Sequence, residues 1–481
     1  MISKNVKEKF SIRYCKKNMV VPVEEKEDSI TYLAAKEDLL LAYNLEQLTG
    51  KETFFIKRTA PEILDKINEY FSQDHEMDLL YQLERDYRVG EKDHQVQNVD
   101  EDSPVVKILD HIVNNSIEKG ASDIHIEILE DHILVRHRID GFLIELLTLP
   151  LRIYSYLVTR IKIISKLDIA EKRIPQDGQF QQDYKGRKID IRVAITPTSY
   201  GEKIVFRILD IIRVDYTPKG IGLYGENLAQ VTNLIRQPTG LILCCGPTSS
   251  GKTSTLYTIL QQLNRRDINI MTIEDPVEYK ISGINQIEVN EQTGLTFEKG
   301  LKAILRMDPD KIMIGEIRNR QTAQISITSS ITGHLVLSTL HTENSPAAIY
   351  RLIDMGIQPF LVSAGLIGVI SQRLIRKLCP HCKIGYEEIL PGETKASFIY
   401  KGLGCSHCHQ GYVGRKAVFE IMLIDADLKE MISQNAPLRE LQQKAIQKGM
   451  KTLEHEILNC IKRGETSMEE YYNNILTVGV L

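Results

Sequence analysis

Apolar positions follow different periods along this chain, and each change of period marks a part of it. Over 104–120, Val105, Ile108, Leu109, Ile112 and Val113 recur at steps of three and four, which puts them on one face of a helix. Alternating runs follow at 123–128, 132–138 and 143–147, with Asp140-Gly141 between the last two. That dipeptide predicts a hairpin, because tight two-residue turns need positive φ. Strand-like runs return at 188–195 and 203–209. Together these elements predict an α+β domain over 104–213, followed by a hinge at 214–220 that contains Pro218.

From 221 onward, helix-like stretches alternate with short apolar runs at 241–245, 268–273, 312–314 and 335–339. This is the pattern of a mostly parallel sheet covered by helices, and it predicts an α/β core over 221–378. Upstream, 30–34 and 53–56 have strand-like composition, and 61–71 reads as a helix with Ile63, Leu64, Ile67 and Phe71 on one face. Residues 1–71 are therefore expected to form a small α/β module. Residues 72–103 are expected to be an acidic linker, since 73–102 carry ten acids against three bases and have little to bury. The remainder divides into a cysteine-bearing segment, 379–424, and a helical tail, 425–481.

Composition narrows the class. The 481 residues are 42% hydrophobic and 26% charged, which excludes a fibrous or wholly disordered chain. Lys plus Arg number 60 and Asp plus Glu 64, for a net charge of −4, whereas a chain held mainly on nucleic acid is usually basic. No basic stripe with interleaved aromatics is present, so no direct nucleic-acid contact is expected. No apolar run reaches the ~18 residues of a membrane span; 359–370 is the longest candidate and contains Ser363 and two glycines. The apolar stretch 19–23 is broken by Pro22 and followed by Glu24 and Glu25, too short for a signal peptide. A cytoplasmic protein is expected, one still able to dock at a membrane.

The strongest chemical signal is Gly246-Pro247-Thr248-Ser249-Ser250-Gly251-Lys252-Thr253. It matches the G-x-x-x-x-G-K-[ST] phosphate loop and lies between a strand-like run and a plausible helix at 253–263. Glycines let the backbone curl so that successive N–H groups, with Ser254 in the first helical turn, face phosphate oxygens at a helix N-terminus. Lys252 would reach the β/γ-phosphates and Thr253 would ligate Mg²⁺. Two acidic clusters also follow apolar runs: Glu316 after Met313-Ile314-Gly315, and Glu274-Asp275-Pro276-Val277-Glu278 after 268–273. Ligands bind at the carboxyl ends of strands in such sheets, so both clusters should meet the phosphate loop. There a carboxylate can polarise water for attack on a γ-phosphoryl group.

These motifs carry a resemblance. The phosphate loop, Thr272-Ile273-Glu274-Asp275-Pro276-Val277-Glu278, Asp308-Pro309-Asp310 through Gly315-Glu316-Ile317-Arg318, and Thr332-Gly333-His334 through His341-Thr342 resemble the Walker A, Asp box, Walker B and His box of the secretion ATPases. The likeness is closest to the GspE/PilB type that drives type II secretion and type IV pilus assembly. It extends upstream through Ala121-Ser122-Asp123-Ile124-His125, Arg138-Ile139-Asp140-Gly141, Pro175-Gln176-Asp177-Gly178 and Gly201-Glu202-Lys203, and downstream to Gly411-Tyr412-Val413-Gly414-Arg415. The resemblance implies a RecA-like P-loop NTPase motor preceded by an α+β PAS-like domain, assembled as a homohexameric ring that hydrolyses ATP with Mg²⁺. It implies Glu278 and Glu316 as catalytic acids, and Arg192 and Arg207 as arginines brought to the γ-phosphate, with Arg306 a further match. It implies His334 or His341 as groups that orient the site or relay between subunits. Partners implied are a polytopic inner-membrane platform protein and other assembly proteins. A retraction or DNA-uptake motor, a nucleic-acid translocase and a scaffold that binds ATP without hydrolysis are the rivals. Ser249 stands where the family usually has Gly, which predicts a slightly altered loop. Lys302, Asn319, Gln321 and Glu343 also depart from the usual pattern. Relatives that bind cyclic di-GMP carry tandem N-terminal motifs rich in Arg, Leu, Gly and Gln; residues 1–71 hold none, so no such binding is expected.

Cys379-x-x-Cys382 and Cys405-x-x-Cys408 are separated by 22 residues. Two such pairs with Gly411 nearby read as a tetrahedral Zn²⁺ site in a reducing compartment. By resemblance this zinc is structural, and it favours an assembly motor, because retraction relatives usually lack the metal subdomain. The other four cysteines, Cys15, Cys244, Cys245 and Cys460, read as packing residues.

Overall fold

A computed structural model describes residues 18–36, 38–64, 66–67, 103–209, 215–405 and 407–475, with 10, 14 and 15. Of the expected linker at 72–103, all but residue 103 lies outside the described residues, as do 65 and 68–71 of the expected helix at 61–71 and residue 214 at the start of the hinge. The chain forms two units, one of residues 1–137 with 143–207 and one of residues 138–142 with 208–481.

The first unit begins with β1 (Val20–Glu25), β2 (Ser29–Ala34), α1 (Leu39–Thr49) and β3 (Glu52–Lys57). Asp38 caps α1 by accepting from the Leu40 N–H, and Gly50 closes it in the left-handed region at φ 74°. The helix returns the chain so that β3 pairs parallel to β2, while β1 pairs antiparallel with a register shift at Pro22. Ile30, Tyr32, Leu45, Ile63 and Ile67 fill its core. The helix α1 was not legible in the sequence, because its leucines surround it: Leu39 and Leu40 are exposed while Leu45 is buried.

The predicted α+β domain follows. Helix α2 (Pro104–Lys119) has Pro at its first turn, where the missing N–H costs nothing, and ends at Gly120. A six-stranded sheet in the order β6-β5-β4-β9-β8-β7 is built from β4 (Asp123–Ile128), β5 (His132–Ile139), β6 (Phe142–Pro150), β7 (Gln176–Tyr184), β8 (Arg187–Thr198) and β9 (Gly201–Leu209). Helix α3 (Tyr154–Ile164) lies between β6 and β7 in the chain. Strand β7 escaped sequence reading because it is an edge strand in which only Phe180 is buried.

Two motifs of this domain are accounted for by packing. Lys162 on α3 and Glu202 on β9 form an ion pair at 2.7 Å, with only 1% and 4% of their side chains exposed. The Lys162 Nζ also donates to the Glu171 carbonyl at 2.6 Å. The Gln176 side chain accepts from the Asp168 N–H and donates to the Asp168 and Glu171 carbonyls. Gly178 has no room for a Cβ, which would meet the Ser165 carbonyl at 2.6 Å.

The second unit is built on a seven-stranded sheet, in the order β12-β11-β13-β14-β10-β15-β18. Its strands are β10 (Gly240–Cys245), β11 (Ile270–Glu274), β12 (Asn285–Glu288), β13 (Lys311–Ile314), β14 (Leu335–Leu340), β15 (Leu366–Leu378) and β18 (Tyr412–Leu423). All neighbours pair parallel except β15 with β18. The helices are α4 (Gly225–Ile235), α5 (Lys252–Leu263), α6 (Phe297–Ile304), α7 (Arg320–Ile331), α8 (Ser345–Asp354) and α9 (Pro359–Gly365). Both faces of the sheet are covered: Leu241 and Leu243 belong to one core cluster, Ile242 and Cys244 to the other. That is why β10 reads as an unbroken apolar run.

Between β15 and β18 the chain forms an antiparallel hairpin of β16 (Lys383–Ile389) and β17 (Ala396–Gly402). Residues 412–423, which the sequence reading grouped with the cysteines, are β18, the edge of the main sheet. The tail is helical as expected: α10 (Ala426–Ser433), α11 (Leu438–Gln447), α12 (Leu453–Lys462) and α13 (Met468–Ile475). Leu453, Ile457 and Met468 pack with Ile375, Ile399 and Val418. No helix among the described residues is long and apolar enough to cross a membrane.

Candidate nucleotide site and cysteine cluster

Strand register brings the chemical motifs together. Cys245 pairs with Leu340, Ser338 with Ile314, and Ile314 with Ile273. The carboxyl ends of β10, β14, β13 and β11 therefore share one edge of the sheet. Gly246, His341, Gly315-Glu316 and Asp275 each lie directly beyond one of these ends. Strand β14 stands between β10 and β13, which separates the loop strand from the acid strand by about 10 Å, two strand spacings.

The loop runs from Gly246 (φ 149°) to Gly251 (φ 89°), which caps α5. Ser249 adopts φ 62°, so the loop takes a left-handed residue there without glycine. Pro247, Thr248 and Ser249 are exposed, Ser250 is buried, and Thr253 and Ser254 lie in the first turn of α5. The Lys252 ammonium donates to the Gly246 and Pro247 carbonyls at 2.9 and 2.8 Å. Burial pushes its pKa below the ordinary value, against the opposing pull of Cys245, Cys244 and Glu316.

Glu316 lies between two partners: it pairs with Arg318, and His341 Nε2 is 3.7 Å from its Oε2. Arg318 also reaches Asp275 Oδ2 at 3.3 Å. Its pKa is raised first by the hydrogen bond to Glu316. Burial lowers the His341 pKa, and the Lys252 charge acts in the same direction. The Thr339 hydroxyl donates to the Gly315 carbonyl at 2.7 Å, fixing the turn that carries Glu316. In the other cluster the buried Glu274 accepts from Tyr257, from Thr272 at 2.6 Å and from Gln286 at 3.1 Å. The Glu278 backbone N–H donates to the Tyr257 hydroxyl at 3.2 Å. Tyr257 thus ties α5 to the acidic segment.

His334 is placed elsewhere. It precedes β14, at the opposite end of that strand from the phosphate loop, a distance of roughly 20 Å over six strand residues. There its Nδ1 lies 3.1 Å from the Ser329 carbonyl. Within one chain, His341 and not His334 faces Glu316. Arg192 lies on β8 opposite Gln179. Arg207, on β9, donates from Nε to Asp123 at 3.3 Å and is 59% exposed. Both belong to the first unit. Arg306 follows α6 at the amino end of β13. The departures have local roles: Asn319 caps α7, and Lys302 pairs with Glu298. The strand-end argument that selects Glu316 also selects His341. Tyr257 and Arg318 carry no such signal.

The four cysteine sulfurs lie within 4.8 Å of one another. Contacts along this set are 3.8 Å for Cys379–Cys405, 3.7 Å for Cys382–Cys408 and 3.6 Å for Cys405–Cys408. A tetrahedron with Zn–S bonds of ~2.3 Å has edges of about 3.8 Å, so the donor set fits zinc. His381 and His407 stack on each other with centroids 4.7 Å apart. Gly402 and Gly411 touch backbone to backbone: a Cβ on Gly402 would lie 2.4 Å from the Gly411 carbonyl oxygen.

A phosphate loop on a central parallel strand, separated by one strand from an acid-bearing neighbour, places the second unit among the RecA-like P-loop NTPases. Residues 98–473 match the family described as Type II/IV secretion system protein, and the chain belongs to that family. It is 44% identical over 379 residues to the type II secretion system ATPase E of Vibrio cholerae, covering 77% of this chain and 75% of that one. It is 39% identical over 479 residues to the type IV pilus assembly ATPase PilB of Myxococcus xanthus, covering 95% and 84%. Among solved structures, the pilus retraction motor PilT with bound ADP is similar at TM-score 0.52 and 26% identity, over 76% of this chain and 96% of that one. The ATPase DotB of Legionella pneumophila, 18% identical at TM-score 0.58 over 80% and 98%, shares the fold.

Proposed function

We propose that this chain is an ATP hydrolase that acts as a homohexameric ring and powers type IV pilus assembly, with type II secretion as the second reading. The observation that carries the chemistry is the single sheet edge holding Lys252, Glu316 and His341. The pilus reading is favoured by extent: the Myxococcus match runs over 95% of the chain, the Vibrio match over 77%.

In this reading the N–H groups of the loop and first helical turn, residues 248–254, cradle the phosphates, and Lys252 pairs with their charge. Thr253 and Glu316 would hold Mg²⁺, which neutralises phosphate charge when bound. Glu316 and Glu278 polarise the attacking water. Arg192 and Arg207 supply guanidinium groups to the γ-phosphate, and His334 acts between subunits. Cys379, Cys382, Cys405 and Cys408 hold structural Zn²⁺. The domain plan proposed is 1–71, a linker at 72–103, 104–213, a hinge at 214–220, a motor core at 221–378, the cysteine segment at 379–424 and the tail at 425–481. The ring works in the cytoplasm, against the inner face of the membrane and a polytopic platform protein.

Phosphate release from ATP by the purified chain, lost in Lys252→Ala, tests the activity. A folded ring that releases no phosphate would overturn it. Loss of surface pili with intact protein secretion in a strain lacking the chain distinguishes the two readings.

A further inference from the structure

Gln372 lies on β15, which flanks β10 on the side away from β14. It is 1% exposed. Cys245 pairs with Ser371, so Gln372 stands one residue beyond the strand end from which the phosphate loop springs. Its Nε2 donates to the Ser250 carbonyl at 2.6 Å. The loop is built against this residue: a Cβ on Gly246 would lie 2.6 Å from the Gln372 carbonyl oxygen, and one on Gly251 would lie 2.9 Å from Nε2. Both flanking glycines are therefore needed for close approach to β15 as well as for curling around phosphate.

The contact has a directional consequence. A trans peptide is planar, so the Ser250 C=O and the Gly251 N–H point in opposite directions. Holding that carbonyl on Gln372 turns the Gly251 N–H to the side of the loop away from β15. Gly251 sits at φ 89°, and glycine resists rotation of the adjoining peptide least of all residues. Nearby, Ser250 Oγ, Ser371 Oγ and Gln372 Oε1 are buried and find no hydrogen-bond partner among the described residues, so the Gln372 Nε2 contact is the one that holds this peptide carbonyl.

We propose that Gln372 is a positioning residue for phosphate binding, holding the Ser250–Gly251 peptide with the Gly251 N–H presented to the nucleotide. The inference rests on the ATP site proposed above. It adds a group from β15 that touches no ligand and acts through the loop backbone.

The test is Gln372→Met, which keeps the length of the side chain and removes the donor. Affinity for a fluorescent ATP analogue, KM for ATP and competition by pyrophosphate are measured beside the wild type. Losing a buried hydrogen bond that orients a binding group should weaken all three about tenfold, while kcat falls less than about threefold. Melting of the protein without nucleotide should fall by no more than about 5 °C. Gln372→Leu likewise lacks the donor, so it should weaken affinity to a similar degree. Unchanged affinity and KM in Gln372→Met would overturn the inference, as would a lowered melting temperature with normal KM, or failure of both variants to fold. A wild-type protein that binds no nucleotide would instead overturn the ATP reading itself.

Discussion

His341 Nε2 lies 3.7 Å from Glu316 Oε2, so the residue beyond β14 faces the acid beyond β13. Burial, and after it the Lys252 charge, lowers the His341 pKa from its ordinary value, which favours the neutral imidazole at neutral pH. Because the folded pKa is depressed, the folded chain takes up this proton less readily than the unfolded one. Stability is undiminished above about pH 6.5 and falls as the pH drops below it. ATPase activity should hold from pH 8 to below pH 6.5 and decline only in more acid buffer. His341→Gln should lose several-fold in kcat and remove that acid limb. A pH–rate profile whose acid limb persists unaltered in His341→Gln would exclude the histidine.

Binding and hydrolysis should separate by residue. Lys252→Ala should weaken nucleotide binding, since the ammonium meets phosphate in the ground state. Glu316→Gln and Glu278→Gln should bind ATP nearly normally and lose at least ~10²-fold in turnover, because water activation is removed. Equilibrium binding beside single-turnover hydrolysis checks both, and near-normal turnover in the two Gln variants would sink the assignment.

Purified protein should carry one Zn²⁺ per chain, read by elemental analysis. Chelation or Cys379→Ser should raise hydrogen exchange in the β16–β17 hairpin, since metal binding and local folding are linked. Protein purified without chelator and free of zinc would refute this.

Arg192→Ala and Arg207→Ala should bind ATP yet lose most turnover, as when transition-state charge loses a guanidinium partner. Mixing wild-type with Lys252→Ala chains should depress activity more than in proportion to the mutant fraction. A linear fall across the mixing series would mean that each subunit fires alone.

The Lys162–Glu202 pair should matter for stability. Lys162→Met strands a buried carboxylate, a loss of about 3–5 kcal/mol. Replacing both, Lys162→Met with Glu202→Gln, should cost less than the sum of the single changes. Calorimetry of the full chain follows the transition of this domain; additive losses would show the two groups to be uncoupled.

Much of this was legible in the sequence, and what was missed has a physical reason. The strands 123–128 and 203–209 were predicted closely because one face is buried and the other wet, so polarity alternates. The phosphate loop and the cysteine quartet were found because backbone curling and tetrahedral ligation fix both residue types and spacing. Strand β15 was missed: buried on nearly its whole length, it has no alternation, and its apolar start merges with α9. Gln372 was missed with it, since a glutamine in a buried strand announces nothing until its neighbour is known. Tyr257 sits on a helix buried almost all round, where no periodicity distinguishes one residue from the next.

The cysteine quartet leaves and rejoins the motor at one place. Leu378, the last residue of β15, pairs in register with Tyr412, the first of β18. Everything between them departs from two adjacent strand ends and returns to the same spot, while Leu390 and Ile399 within it pack against the helical tail. The segment that carries the four cysteines is therefore an insert in the β15–β18 hairpin: a change in its length leaves β10, β13 and β14 in register and is felt by the helical tail through Leu390 and Ile399.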